Sequence, residues 1–413
     1  MSQITHPKIL FISGSLGLGH VTRDLAIVTE LRKLIPDINV SWVSAPPASI
    51  YLQQNNESLL PESENWPSET PVAESTGDGN NMNVAYYFIN ATETWDKQWE
   101  VFLNILDNYS FDLIIGDETY RIATNLIDAA LENKPLIETP FIIMYDFVGA
   151  DVMTDDPREK EVVEYLNDLW QRRACRPFPD TLPPNLITRF FIGEPDDIIN
   201  RVTDKGTINY QELTKDSLTF LGHIIRFNPE KYRDSSFYRK KLGYTSKPLV
   251  ICSIGGSTIG KQLLELCSEA FVYVEKKIPG FQMVLACGPR IDPEEVDVAP
   301  GVETHGYLPD LIKHFAACDL AIILAGHTSS NELIALQKPF IYFPIAQHFE
   351  QEDIAKRLSK RNIGIEMSFE STTPELLAET IMTNIEKEVD YPYVNINGAK
   401  KAAEIITQLI SIP

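Results

Sequence analysis

Short apolar runs of strand length alternate along this chain with stretches whose apolar residues recur every three or four positions. In the first half, residues 8–13 (KILFIS), 39–44 (NVSWVS), 111–116 (FDLIIG), 135–145 and 217–225 (SLTFLGHII) read as buried strands. Val21, Leu25, Val28, Leu31 and Leu34 fall at helical spacing, and residues 91–108, 121–132 and 155–173 continue as helices. The alternation resumes after a basic, polar stretch at 226–247. Strands are expected at 248–253, 282–286, 302–306, 319–324 and 339–343, with helices at 259–277, 310–317, 373–386 and 398–410. Residues 60–83 are rich in Pro, Ser, Glu and Gly, lack periodicity and read as a long surface loop. Two such series predict an α/β protein with two Rossmann-like parallel-sheet domains facing a cleft.

The expected division is an N-terminal domain over 1–222, a connection over 223–247 and a second domain over 248–390. A C-terminal helix over 391–413 is expected to pack back on the N-terminal domain. The length of 413 residues accommodates two domains of ordinary size. No apolar run of about 18 residues occurs, which argues against a membrane span. The N-terminus enters a strand without a basic or leader-like segment, so a cytoplasmic protein is expected. Cys175, Cys252, Cys267, Cys287 and Cys318 have no paired spacing, which points away from disulfides and from zinc.

Charge narrows the classes further. The net charge is −22, and residues 1–200 hold 13 Lys and Arg against 31 Asp and Glu. Such a front half repels nucleic acid and anionic lipid, and tolerates neutral or cationic small molecules.

The candidate chemistry lies where strands end. Residues 14–20 (GSLGLGH) are a glycine-rich turn that brings backbone close to a ligand and presents His20 at a helix start. Its order, G-x-x-G-x-G, is not the dinucleotide fingerprint. Asp117 and Glu118 close a strand on the side where parallel sheets bind ligands. In residues 324–351, Gly326 breaks a strand and His327, Thr328, Ser329 and Ser330 open a helix. Its unpaired N–H groups and dipole suit phosphate. Glu332, Gln347, Glu350 and Gln351 follow, acids and amides suited to ribose and sugar hydroxyls.

GLGHVTRDLAIVTELRKL near the N-terminus, VICSIGGST at 250–258 and the 324–351 stretch together resemble the GT-B glycosyltransferases, in the feel of inverting families 1 and 28. The resemblance runs through both halves in order, is strongest over 302–357 and is weak between 45 and 110. It implies an inverting, metal-independent enzyme that moves a sugar from a nucleotide-sugar, a UDP-sugar above all, to a small-molecule hydroxyl. The family's general base matches His20, and its orienting aspartate matches Asp117. Gly17 and Gly19 fall on the acceptor side. On the donor side, Gly255, Gly256 and Ser257 match the phosphate-side loop, Tyr307 the aromatic that stacks on the base, and Gly326 through Ser330 the diphosphate turn. Glu332 matches the ribose glutamate, and Gln347, Glu350 and Gln351 the loop that holds the donor sugar. No other cofactor is implied, and the chain contains no Asp-x-Asp pair. Two departures stand out: Leu324 replaces the histidine common at the turn in family 1, and Ile354 replaces the usual asparagine. The alternatives are a nucleotide-sugar hydrolase or epimerase on the same fold, since the His20 segment also resembles a UDP-sugar hydrolase, and a non-catalytic nucleotide-sugar-binding subunit.

Overall fold

A computed structural model describes residues 6–411. The chain forms two compact units. The first comprises the chain through Ala73, Val84–Arg226 and the chain from Asn395 onward; the second comprises Glu74–Asn83 and Phe227–Val394.

The first unit is built on a parallel sheet of seven strands: β1 (Lys8–Ile12), β2 (Asn39–Val43), β3 (Ser58–Leu59), β4 (Leu113–Asp117), β5 (Phe141–Tyr145), β6 (Ile187–Ile192) and β7 (Thr219–Gly222). Its order is β7-β6-β5-β4-β1-β2-β3. After β1 the chain moves outward through β2 and β3, then returns to β4 on the other side of β1. The loops following β1 and β4 therefore diverge at a topological switch point, where a parallel sheet opens a crevice. Helices α1 (Gly19–Leu34), α2 (Val84–Asn90), α3 (Thr92–Asn108), α4 (Tyr120–Leu131) and α5 (Pro157–Arg173) flank the sheet. The strands are buried on both faces, which explains their unbroken apolar sequences.

The second unit repeats the architecture with β8 (Leu249–Ser253), β9 (Gln282–Ala286), β10 (Glu303–His305), β11 (Leu320–Leu324), β12 (Phe340–Phe343) and β13 (Ile365–Glu366), in the order β10-β9-β8-β11-β12-β13. Its switch point falls between β8 and β11. Helices α6 (Lys261–Glu275), α7 (His327–Ala335) and α8 (Phe349–Lys360) follow β8, β11 and β12.

The last helix, α9 (Gly398–Ile410), belongs to the first unit and packs along α1. Ala399, Ala402, Ala403, Ile406 and Ile410 form its apolar stripe. They share a core with Val21, Leu25, Val28 and Leu31. This spacing is one helical face, so burial of the stripe holds α9 in place.

Three expectations are corrected. Residues 60–83 are not a bare loop: they contain a 3-10 turn (Pro61–Asn65), a helix (Thr70–Ser75) and a hairpin of Gly77–Asp78 with Asn81–Met82. Ser15 anchors the segment, its hydroxyl accepting the Glu69 N–H and its carbonyl accepting the Thr70 hydroxyl. Residues 135–140 precede the strand instead of joining it. Strand β6 (ITRFFI) has no sequence-level counterpart because Arg189 interrupts its apolar run. That arginine is buried all the same, with its guanidinium 3.9 Å from the centre of the Phe178 ring and Nη1 donating to the Arg176 carbonyl at 2.8 Å.

Candidate active site

At the switch point of the first unit, Gly17 turns the β1–α1 loop with a positive φ of 66°, a conformation glycine adopts freely. Gly19 begins α1, and the next residue, His20, projects from its first turn. Asp117 ends β4, and Glu118 follows it with φ at +54°, an uncommon backbone state for a residue carrying a side chain. That turn directs the two neighbouring carboxylates to opposite nitrogens of one imidazole. His20 Nδ1 lies 3.2 Å from Asp117 Oδ2, and Nε2 lies 3.0 Å from Glu118 Oε1.

Arg23, one turn further along α1 and nearly buried, organises the acids. Its Nε donates to Asp117 Oδ2 at 2.9 Å and its Nη2 to Oδ1 at 2.6 Å, a two-pronged grip, while Nη1 donates to Asp146 Oδ2 at 2.7 Å. Arg23 Nη2 also lies 2.7 Å from His20 Nδ1. Two hydrogen-bond settings follow. With the proton on Nδ1, the ring donates to Asp117. With Nδ1 bare, it accepts from Arg23 and Nε2–H donates to Glu118.

Burial, the largest influence, pushes His20 toward the neutral form, and so does the charge of Arg23. Glu118 and Asp117 together outweigh both and carry the imidazole well above its ordinary 6.5. Burial pushes the Asp117 carboxyl up, but Arg23 and His20 hold it far below the usual carboxylate range. Burial raises Glu118 despite the opposing pull of His20. The surroundings thus favour the imidazolium form of His20 between two buried acids. Glu118 Oε2 is buried with no hydrogen-bond partner, and Gly14 leaves it room, since a β-carbon there would overlap that oxygen.

The site opens into a cavity of roughly 240 Å³ lined by Asp117, Glu118 and Asp146 at one end and by side chains of α2 through α5 elsewhere. Phe88, Trp95, Tyr120, Phe147 and Trp170 form a continuous aromatic wall, with Phe88 edge-on to the other four at 4.9–6.4 Å.

The remaining candidate residues lie in the second unit. Gly255, with φ at +83°, Gly256 and Ser257 form the turn after β8; Gly326 caps α7 after β11. A β-carbon on Gly255 or on Gly326 would meet nothing within 4 Å, so both strand ends present backbone to open space. His327, Thr328 and Ser329 stand half-buried in the first turn of α7, with Glu332 one turn on. Ser330 is buried, its hydroxyl donating to the Gly326 carbonyl at 2.8 Å. Tyr307 is exposed in the turn after β10. Gln347 has φ at +61°, Glu350 lies in the first turn of α8, and Gln351 turns inward to accept the Ile345 N–H at 2.9 Å. The structure thus gathers Gly17, Gly19, His20 and Asp117 in one unit and the residues expected on the donor side in the other. The sequence alone marks neither Arg23 as a site residue nor Glu118 as more than a strand-end acid beside Asp117. The i, i+3 spacing of His20 and Arg23 on one helix face, and the adjacency of Glu118 to Asp117, were the available marks. Among the described residues no group of three or more His, Cys, Asp or Glu is placed to hold a metal ion. No described helix is long and apolar enough to cross a membrane.

Residues 250–409 match the Glycosyltransferase family 28 C-terminal domain. An uncharacterized glycosyltransferase of Methanopyrus kandleri is 25% identical over 195 residues, 46% of this chain and 54% of that protein. A UDP-N-acetylglucosamine–N-acetylmuramyl-(pentapeptide) pyrophosphoryl-undecaprenol N-acetylglucosamine transferase of Acetivibrio thermocellus is 27% identical over 208 residues, 47% of this chain and 55% of that enzyme. The chain spans about half the length of these two curated relatives. A Bacillus cereus transferase of the second type is 28% identical over 381 residues, 87% of this chain and 88% of its own. Among solved structures, the glycotransferase of kitacinnamycin superposes with a TM-score of 0.61 at 16% identity, covering 98% of this chain and 99% of its own. MurG of Acinetobacter baumannii superposes with a TM-score of 0.51 at 16% identity, with the same coverage. The fold is GT-B, with two parallel-sheet α/β domains.

Proposed function

We propose that this chain, whose residues 250–409 match the family 28 C-terminal domain and whose fold is GT-B, is an inverting glycosyltransferase that moves a sugar from a nucleotide-sugar to the hydroxyl of a small-molecule acceptor. The observation that carries this reading is the His20 constellation: an imidazole fixed at Nδ1 by a carboxylate that Arg23 itself holds in place. Such an arrangement orients a general base and steadies the cation it becomes.

The acceptor hydroxyl enters from the cavity and takes the place of Glu118 Oε1 on His20 Nε2. Its proton passes to that nitrogen as its oxygen bonds to the anomeric carbon. The bond from that carbon to the diphosphate oxygen breaks, the nucleotide leaves with the electron pair, and the anomeric configuration inverts. The ring must be neutral to accept, so the raised His20 pKa sets the pH at which the base becomes available.

Donor binding is assigned to the second unit. Gly255, Gly256 and Ser257 with the first turn of α7 offer N–H groups and hydroxyls to the diphosphate, and the helix dipole favours the developing charge. Glu332 takes the ribose hydroxyls, Tyr307 stacks on the base, and Gln347, Glu350 and Gln351 hold the sugar. The backbone clearance at Gly255 and Gly326 supports this assignment, and the UDP-N-acetylglucosamine in the name of the Acetivibrio relative supports a UDP-sugar.

Calorimetric titration with UDP, TDP, GDP and ADP tests the donor side. Selective binding of UDP, weakened in Glu332→Ala, is the expected result; binding of none of the four removes the nucleotide-sugar reading. In a transfer assay His20→Ala is expected to lose about 10²–10⁴-fold in rate, the scale of a general base. Transfer at the wild-type rate removes the base assignment.

A further inference from the structure

Resting on that reading, we infer that the aromatic cavity of the first unit is the acceptor site and that it takes an uncharged aromatic alcohol or phenol, its ring against the Phe88 wall and its hydroxyl on Glu118.

Interior voids lined by apolar side chains are normally closed by packing. This one is walled by five rings from α2, α3, α4, α5 and the segment after β5, with Phe88 edge-on to the others. Their edges and faces are the complement of another planar ring. Tyr165, exposed on α5, lines the same cavity at its rim.

The polar groups of the lining restrict the ligand further. Arg121 is paired with Asp96, and Arg173 with Asp128 and Thr124. The Thr92 hydroxyl donates to the Ile89 carbonyl. Asp117 and Asp146 are gripped by Arg23. With its cations already matched to carboxylates, the cavity has none to spare for a diphosphate-linked lipid. A free sugar would bury several hydroxyls against groups that already have partners, at the cost of leaving them unsatisfied. Thr119 Oγ1 and Glu118 Oε2 of the lining are buried without a hydrogen-bond partner, and Glu118 Oε2 is the acid oxygen next to the one that meets His20 Nε2. One donated hydroxyl satisfies it and lies beside the base, and its single proton turns to His20 Nε2 once the ring is neutral and Glu118 Oε1 has left that nitrogen. A ring bearing one such hydroxyl meets both demands.

The test is titration of the full chain with 2-naphthol, N-acetylglucosamine and farnesyl diphosphate. It is followed by calorimetry and by the fluorescence of Trp95 and Trp170, which line the cavity. Naphthol is expected to bind and to quench the tryptophans, and the other two to bind far more weakly. Ala123→Phe fills the cavity from α4 and is expected to weaken naphthol about tenfold or more, the scale on which a filled apolar pocket discriminates. Tyr165→Ala, at an exposed position where folding is not at stake, is expected to weaken it less but measurably. Tighter binding of the sugar or the prenyl diphosphate overturns the inference, as does naphthol binding indifferent to both substitutions. UDP titrated into the same preparation separates the failures. If UDP binds and naphthol does not, the acceptor class is wrong and the transferase reading stands. If neither binds, the transferase reading falls with it.

Discussion

Glu118 Oε1 lies 3.0 Å from His20 Nε2, the ring nitrogen opposite the one that faces Asp117. The imidazole is therefore held at both ends by carboxylates contributed by consecutive residues of one strand end. That relationship favours the protonated ring, although the proposed chemistry needs it as a base.

A pH dependence follows, with its sign fixed by the surroundings. Asp117 and Glu118 face the ring, Arg23 approaches Nδ1, and Asp146, Asp24 and Glu69 are the further titratable groups nearby. Because His20 is raised well above 6.5, kcat/KM is expected to climb with pH until the ring loses its proton. Glu118→Gln removes one of the two charges that raise it, so the climb should move to lower pH. Pre-steady-state rates measured across the pH range in both proteins check this, and a climb that stays put would show that Glu118 does not govern the ring. The corresponding stability has the opposite slope. A histidine raised on folding stabilises the folded chain fully below its unfolded value, and that contribution disappears as pH rises through the folded one.

Arg23 bonds Asp117 and Asp146 together. Arg23→Met keeps bulk and removes the charge, leaving both carboxylates without their cation in a buried setting. Loss of one partner from such a pair costs about 3–5 kcal/mol. Urea unfolding should show that loss, and transfer should fall even where the variant is fully folded, because Asp117 no longer has a fixed position. Arg23→Lys restores charge without the planar fork and is expected to recover stability only in part. A stability equal to wild type in Arg23→Met would contradict the role of the grip.

The legible part of this protein was the part that burial dictates. KILFI, LIIGD and LAIIL are covered on both faces, so they appear in the sequence as unbroken apolar runs. Helix α9 was legible to its ends because its apolar stripe repeats at 3.6 residues against α1. Where polar groups are buried with partners, the pattern failed. Arg189 hid strand β6, and Glu69, buried and accepting from the Trp95 ring nitrogen at 2.6 Å, hid the order in residues 60–83. The site shows the same division. His20 and Asp117 stood at positions marked by a glycine turn and a strand end, and the structure brings them together. Glu118 was marked only as a strand-end acid beside Asp117 and Arg23 not at all, because nothing local distinguishes a charge that will be buried from one that will be solvated.

Helix α9 offers a stability test independent of the chemistry. Ile406 is fully buried between α9 and α1. Ile406→Ala should cost about 2–5 kcal/mol, the range for deleting a buried aliphatic side chain. Chemical denaturation checks it, and UDP affinity should be unchanged because the residues proposed to bind the donor lie in the other unit. A cost near zero would mean that α9 contributes little to the core of the first unit.

Gly14 gives access to Glu118 without altering any charge. A β-carbon at this position would overlap Glu118 Oε2 and crowd its Cβ and Cδ as well, so the carboxylate cannot keep its place. Gly14→Ala should therefore push Glu118 off His20 Nε2 and bring the pH profile of transfer toward that of Glu118→Gln. The two substitutions are expected to be non-additive, because each removes the same contact. Naphthol should also bind less tightly in Gly14→Ala, since the oxygen proposed to receive its hydroxyl is displaced. A wild-type pH profile in Gly14→Ala, with Glu118→Gln shifted, would show that the charge of Glu118 acts on His20 from a distance. The 3.0 Å contact would then not be the working arrangement.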